Sequence, residues 1–235
     1  MHIIMLPFAG GNKHSYQAIT GNVPNIHTLE YPGRGTRIRE PLPVTLDLLV
    51  EDVLQQLKKT IDIHSKYMLY GHSMGALIAY LLCRKIKTLG LPMPQKLVVS
   101  GRKSPHIKRK RFLSQLHDAD FIQEVTGMGG IPDEVLQYPE LMEFIIPILK
   151  GDFRVYESYQ YIPGEKLSVP IDVFYGSEEG IREEDIVGWK EESLQPVHIR
   201  EMKGNHFFIL DHAAYFSEYL RNHLGYTGVA GRTYP

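Results

Sequence analysis

The sequence is short of several things, and each shortage excludes something. Only one cysteine, Cys83, occurs in 235 residues, so no internal disulfide can form. That usage fits a reducing compartment, and Cys83 sits in an apolar run where a buried small hydrophobe is expected. Net charge is almost absent, at −1, which gives no global case for binding nucleic acid or an anionic membrane. No run approaches the roughly 18 apolar residues of a membrane helix. The opening "MHIIMLPFAGG" has about five apolar residues before Pro7, too few for a signal-peptide core. There is no internal repeat, no low-complexity tract, no phosphate loop and no Cys/His cluster with metal spacing. The expectation is a cytoplasmic, monomeric protein that needs neither metal nor organic cofactor.

What is present is ordinary for a globular domain: 43% hydrophobic and 23% charged residues. Short apolar runs ("HIIML", "IHTLEY", "YMLYG", "KLVVSG", "IDVFYG", "VHIREM") read as strands. They alternate with helical patterns, among them "LDLLVEDVLQQLKKTI", with apolar residues at Leu46, Leu49, Val50, Val53, Leu54 and Leu57. This predicts an α/β fold in one domain, with a mainly parallel central sheet flanked by helices. Residues from about 105 to 163 break the alternation and read as helices only, as a lid over a site would. The last residues, "GYTGVAGRTYP", read as a tail.

The chemistry is concentrated at "GHSMG", residues 71–75. A G-x-S-x-G turn between a strand and a helix exposes its serine at the carboxyl end of the sheet, and the glycines prevent clashes with both neighbours. Ser73 is therefore the candidate nucleophile. A serine hydroxyl needs a base, and in this arrangement the chain order is serine, acid, histidine. Of eleven histidines, His206 in "MKGNHFFIL" follows the last strand in a turn; His212 is the nearest competitor but falls within the following helical pattern. The acid belongs in the loop after "IDVFYG", which offers Glu178, Glu179, Glu183, Glu184 and Asp185. Two backbone N–H groups should hold an oxyanion: Met74, after the nucleophile, and Phe8 in "LPFAGG", with Ala9 as second choice.

Seven segments occur in a fixed order: "LPFAGG", "EYPGRGTRIREP", "GHSMGALIAY", "VVSGRKSPH", "GDFRVYESYQYIPG", "VFYGSEE" and "GNHFFIL". Together, over about Met5 to Leu220, the chain resembles the type II thioesterases, stand-alone α/β-hydrolases that serve polyketide and nonribosomal peptide synthetases. The resemblance implies an α/β-hydrolase fold with a mobile helical lid. It implies a hydrolase that removes acyl groups from the phosphopantetheine of acyl- or peptidyl-carrier domains, usually to clear stalled units. It carries Ser73 over as nucleophile and His206 as base. Glu179 falls where the family usually has aspartate, with Glu178 and Asp185 as alternative acids. Asn205 stands where relatives more often have glycine. An esterase or acyltransferase on the same fold is the rival reading, and a non-catalytic binding protein a remote one.

One further feature is the basic run "GRKSPHIKRKR", residues 101–111. Beside the predicted lid, it suggests a rim that steers acidic carrier domains.

Overall fold

In a computed structural model, which describes residues 1–225, the chain alternates strands and helices. The order is β1 (His2–Leu6), α1 (Gln17–Thr20), β2 (Ile26–Thr28), α2 (Leu46–Thr60), β3 (Tyr67–His72), α3 (Met74–Thr88) and β4 (Lys96–Ser100). Then come three helices in succession, α4 (Asp118–Gly127), α5 (Asp133–Leu136) and α6 (Pro139–Glu157). The chain returns to the sheet with β5 (Ile171–Gly176), α7 (Glu183–Ile186), β6 (Val197–Met202), α8 (Phe208–Asp211) and α9 (Ala213–Leu224). The six strands lie in the order β2-β1-β3-β4-β5-β6, and every pairing is parallel.

A parallel sheet with helices on both faces buries both sets of alternating side chains. Ile4, Leu6, Leu69, Leu97, Val99, Ile171 and Val173 point into one core with α2 and α3. Ile3, Met5, Met68, Tyr70, Val98 and Phe174 point into the other, with α1 and α9. Thr45 caps α2 by accepting the Leu48 N–H, and the six apolar positions read from the sequence are all buried. Cys83 lies in the first core, fully buried, and burial pushes its thiol up.

The helices between β4 and β5 have a small core of their own, made by Leu113, Phe121, Val125, Ile131, Met142 and Leu149. The segment from 105 to 112 is irregular rather than helical, as its Pro and closely spaced like charges dictate. Two expectations need adjustment. "IHTLEY" yields only three strand residues, Ile26–Thr28, because an edge strand has one partner and the chain turns at Pro32. The apolar helix after His206 is two helices, and His212 lies at the junction between them instead of within one. The tail beyond Gly225 falls outside the described residues.

Candidate active site

The β3–α3 junction is a strained turn. Ser73 has φ 55° and ψ −114°, a region that L-residues rarely occupy. The strain is enforced by close packing on both sides. A Cβ on Gly71 would lie 2.1 Å from the Gly75 carbonyl oxygen, and one on Gly75 would lie 2.0 Å from that of Leu6. The Ser73 hydroxyl is not used to cap α3. Met74 opens α3, so its N–H has no helical acceptor. The same close approach of Gly75 to Leu6 and Pro7 lays the segment Pro7–Gly11 against the start of α3. Phe8 gives its carbonyl to the Gly11 N–H (2.9 Å). Neither the Phe8 N–H nor the Met74 N–H has an acceptor among the described residues.

His206 comes from the loop after β6. Its Nδ1 lies 2.6 Å from Glu179 Oε2. The other Glu179 oxygen accepts the Gly176 N–H at 2.6 Å, and the side chain is only 2% exposed. The His206 ring lies 4.9 Å, centroid to centroid, from that of His72, the neighbour of Ser73. Five elements thus converge at the carboxyl end of the sheet: β1, β3, β4, β5 and β6 all deliver their following loops there, as parallel strands must.

The competing carboxylates go elsewhere. Asp185 caps α7 through the Arg182 N–H (3.2 Å) and pairs with Lys103 (2.8 Å). Burial works against its charge, but Lys103 and that N–H outweigh it and hold Asp185 below the usual carboxylate range. Glu178 is exposed and joins the site only through its N–H, which donates to the Gly204 carbonyl. Glu183 and Glu184 lie exposed in the first turn of α7. His212 turns away, with Nε2 2.8 Å from the Lys203 carbonyl oxygen.

An aromatic shell closes around the imidazoles. Phe207 lies 5.0 Å from Phe8, 5.3 Å from His206 and 5.6 Å from His72. The turn Gly129-Gly130, between α4 and α5, approaches Asn205 and Phe207 closely enough that a Cβ on Gly129 would sit 3.4 Å from the Asn205 amide. His72 is fully buried, with Nδ1 2.9 Å from Ser100 Oγ and Nε2 without a partner among the described residues. Burial, with His206 alongside, pushes it well below the ordinary histidine range.

The whole chain carries this pattern beyond the site. Residues 1–223 match the family model described as a thioesterase domain. The chain belongs to the thioesterase family. It is 32% identical over 216 residues to the gramicidin S biosynthesis protein GrsT of Aneurinibacillus migulanus, covering 90% of this chain and 84% of that one. It is 31% identical over 228 residues to the probable anguibactin biosynthesis thioesterase AngT of Vibrio anguillarum, covering 94% and 90%. Among solved structures, ClbQ from the colibactin NRPS/PKS pathway superposes with a TM-score of 0.84 at 29% identity, covering 97% and 99%. The type II thioesterase BorB from the borrelidin cluster gives 0.84 at 29%, covering 95% and 92%. This thioesterase therefore has the α/β-hydrolase fold and the kinship with type II enzymes that its seven segments indicate.

Two groups of residues in this thioesterase escape a reading of the sequence alone. His72 looks like a variable position of the turn. Arg34 and Asp152 lie in two of the matching segments, yet nothing local marks them as a pair. The basic run is also more divided than it reads: Arg102 is buried against the Tyr156 hydroxyl (2.5 Å), Lys103 is tied to Asp185, and Arg111 pairs with Glu124 (2.8 Å). Lys108, Arg109 and Lys110 remain exposed, with the Arg109 guanidinium 4.2 Å from the Tyr156 ring centroid. Among the described residues no three His, Cys, Asp or Glu side chains are grouped to hold a metal ion, and no helix is long and apolar enough to cross a membrane.

Proposed function

We propose that this thioesterase hydrolyses acyl groups from the phosphopantetheine thiol of carrier-protein domains through a Ser73 acyl-enzyme. Ser73 attacks the thioester carbonyl while His206 accepts its proton. Glu179 orients the imidazole and stabilises its cation. The oxyanion is held by the N–H groups of Met74 and Phe8, aided by the positive end of α3. Collapse of the tetrahedral intermediate breaks the C–S bond, and His206 returns the proton to the thiolate sulfur. A water, deprotonated by His206, then attacks the Ser73 ester, and the acid is released with Ser73 reprotonated. The helices α4, α5 and α6, within residues 105–163, act as the lid that keeps bulk water out during the first step.

The observation that carries this reading is the 2.6 Å contact of Glu179 with His206, whose ring lies 4.9 Å from that of His72, the neighbour of a serine held at φ 55°. A carrier-bound substrate is favoured by similar proteins of NRPS/PKS pathways, ClbQ of the colibactin pathway and YbtT of the yersiniabactin pathway. The test has two arms. A fluorophosphonate should label the chain once, at Ser73, and Ser73→Ala should not be labelled. Rates on an acyl-carrier protein, the same acyl-CoA and a p-nitrophenyl ester should rank in that order of kcat/KM. A preference for the free ester moves the substrate class to small esters, and labelling of the alanine variant overturns the mechanism.

A further inference from the structure

The segment Leu6–Gly11, which carries the Phe8 N–H, is fastened by four side chains from elsewhere. The Tyr16 hydroxyl donates to the Leu6 carbonyl (2.8 Å) and the Tyr31 hydroxyl to the Pro7 carbonyl (2.9 Å). Asp152 Oδ2 accepts the Gly10 N–H (2.7 Å), and Arg34 Nη1 donates to the Gly11 carbonyl (3.3 Å). All four side chains are buried.

The last two also grip each other. Arg34 Nη1 lies 2.5 Å from Asp152 Oδ2, and Nη2 lies 2.6 Å from Oδ1. Arg34 belongs to the loop after β2 and Asp152 to α6, 118 residues later. One two-pronged ion pair therefore joins three segments: the loop after β1, the loop after β2 and the last helix of the insertion. Leu149, one turn before Asp152, covers the same loop. Gly10 has φ +75°, and a Cβ there would lie 2.5 Å from Leu149 Cδ2. On the side facing α6 the loop has no slack.

A buried ion pair is a poor device for stability alone, since apolar side chains of the same volume often do as well. What it supplies here is direction. Both Asp152 oxygens are committed, and the one that takes the Gly10 N–H is held in place by Arg34. We propose that Asp152, oriented by Arg34, is a positioning residue for the oxyanion site: it fixes Gly10, so that the Phe8 N–H is aimed before substrate arrives, and it makes that aim depend on the seating of α6. The proposal rests on the Ser73 acyl-enzyme reading given above. A preorganised donor acts most strongly on the charge that develops in the transition state. Loosening the loop should thus lower kcat and spare KM.

Asp152→Asn tests this. An asparagine keeps the shape but has a single acceptor oxygen, so it cannot serve the Gly10 N–H and both prongs of Arg34 together. With a small neutral thioester, kcat should fall about 10- to 100-fold, less than loss of a whole oxyanion donor, with KM nearly unchanged. Affinity for an alkylboronic acid, which forms a tetrahedral adduct with Ser73, should fall in parallel. Affinity for the unreactive thioether analogue of the substrate should not. Arg34→Lys, which keeps the charge without the fork, should shift the same quantities in the same direction, and it replaces Asp152→Asn if that variant does not fold. Asp172→Asn is the control. Asp172 is a buried aspartate near the start of β5, where it pairs with Lys96 (2.7 Å) away from the carboxyl end of the sheet. It should lower the melting temperature and leave kcat alone. If the folded Asp152 and Arg34 variants keep full kcat and boronate affinity, or if Asp172→Asn lowers kcat equally, the positioning role is overturned. Absence of fluorophosphonate labelling at Ser73 in the unmodified chain overturns the acyl-enzyme reading itself, and this proposal with it.

Discussion

The two oxygens of Glu179 divide their work: Oε2 lies 2.6 Å from His206 Nδ1, and Oε1 receives the Gly176 N–H at 2.6 Å. Glutamate is one methylene longer than the aspartate usual in this family. The side chain folds back over the end of β5, where Oε1 takes the Gly176 N–H. The second contact also fixes the carboxylate plane, so that one oxygen is always presented to the imidazole. Glu179→Gln should keep this shape and lose about 10⁴-fold in kcat, as when a buried triad acid becomes an amide. Asp185→Asn should keep its activity and lose stability, because its partners are Lys103 and the Arg182 N–H. Steady-state kinetics with thermal melts on both variants decide the matter. Full activity in Glu179→Gln rejects the assignment.

The elbow glycines give a second prediction. Gly71→Ala and Gly75→Ala each press a methyl carbon to about 2 Å from backbone oxygen, where no flexible side chain can yield. Neither variant should give soluble, folded protein. Gly127→Ala is the same chemical change at the end of α4, exposed and with nothing within 4 Å of the new carbon. It should stabilise by about 0.5 kcal/mol, since alanine is the better helix former. Soluble expression of the three variants, with a circular dichroism melt of Gly127→Ala against the unmodified chain, provides the comparison; a cooperative melt from either elbow variant would reject the prediction.

His72 should make stability depend on pH. Its folded-state value lies below the ordinary one, so the unfolded chain binds a proton that the folded chain refuses. The stability it permits is complete above about pH 6.5 and is lost as pH falls below that towards the folded value. The slope is at most about 1.4 kcal/mol per pH unit for one proton. Urea denaturation at pH 7.5, 6.5 and 5.5 should show a steeper loss in the unmodified chain than in His72→Gln. Equal slopes would mean that His72 accepts its proton without unfolding.

The exposed part of the basic run yields a prediction about partners. Lys108, Arg109 and Lys110 are exposed with no carboxylate partner among the described residues, although Arg109 also lies over Tyr156, whereas Lys103 and Arg111 already have carboxylate partners. Reversing these three to glutamate should raise KM for acyl-carrier protein several-fold. The effect should shrink as salt is added, because steering is screened within about 8–10 Å. Hydrolysis of a small neutral thioester should change little. An equal loss on both substrates would assign the run to the fold and not to docking.

Much of this molecule can be read from residues in order along the chain. The strand runs, the amphipathic α2, the elbow at Ser73 and the turn before His206 are local patterns. A period of two or of 3.6, or a glycine on either side of a serine, reports a backbone geometry that depends on few distant contacts. Even the carboxylate that meets His206 is nearly local, since Glu179 sits three residues past the glycine that ends its strand. What the sequence leaves open is which carboxylate of a five-carboxylate loop faces the imidazole. Only the packed fold removes Asp185, by giving it to Lys103 and the start of α7, and exposes Glu178. The pairing of Arg34 with Asp152 belongs wholly to the tertiary structure: the residues are 118 apart, and neither helix period nor strand alternation links them. The burial of His72 is decided the same way, because Ser100, Phe8 and the pair Phe207–Phe208 arrive from three separate segments. Local pattern determines what each segment is. The meeting of distant segments at the carboxyl edge of the parallel sheet decides which polar groups lose water, and so which of them must find a partner there.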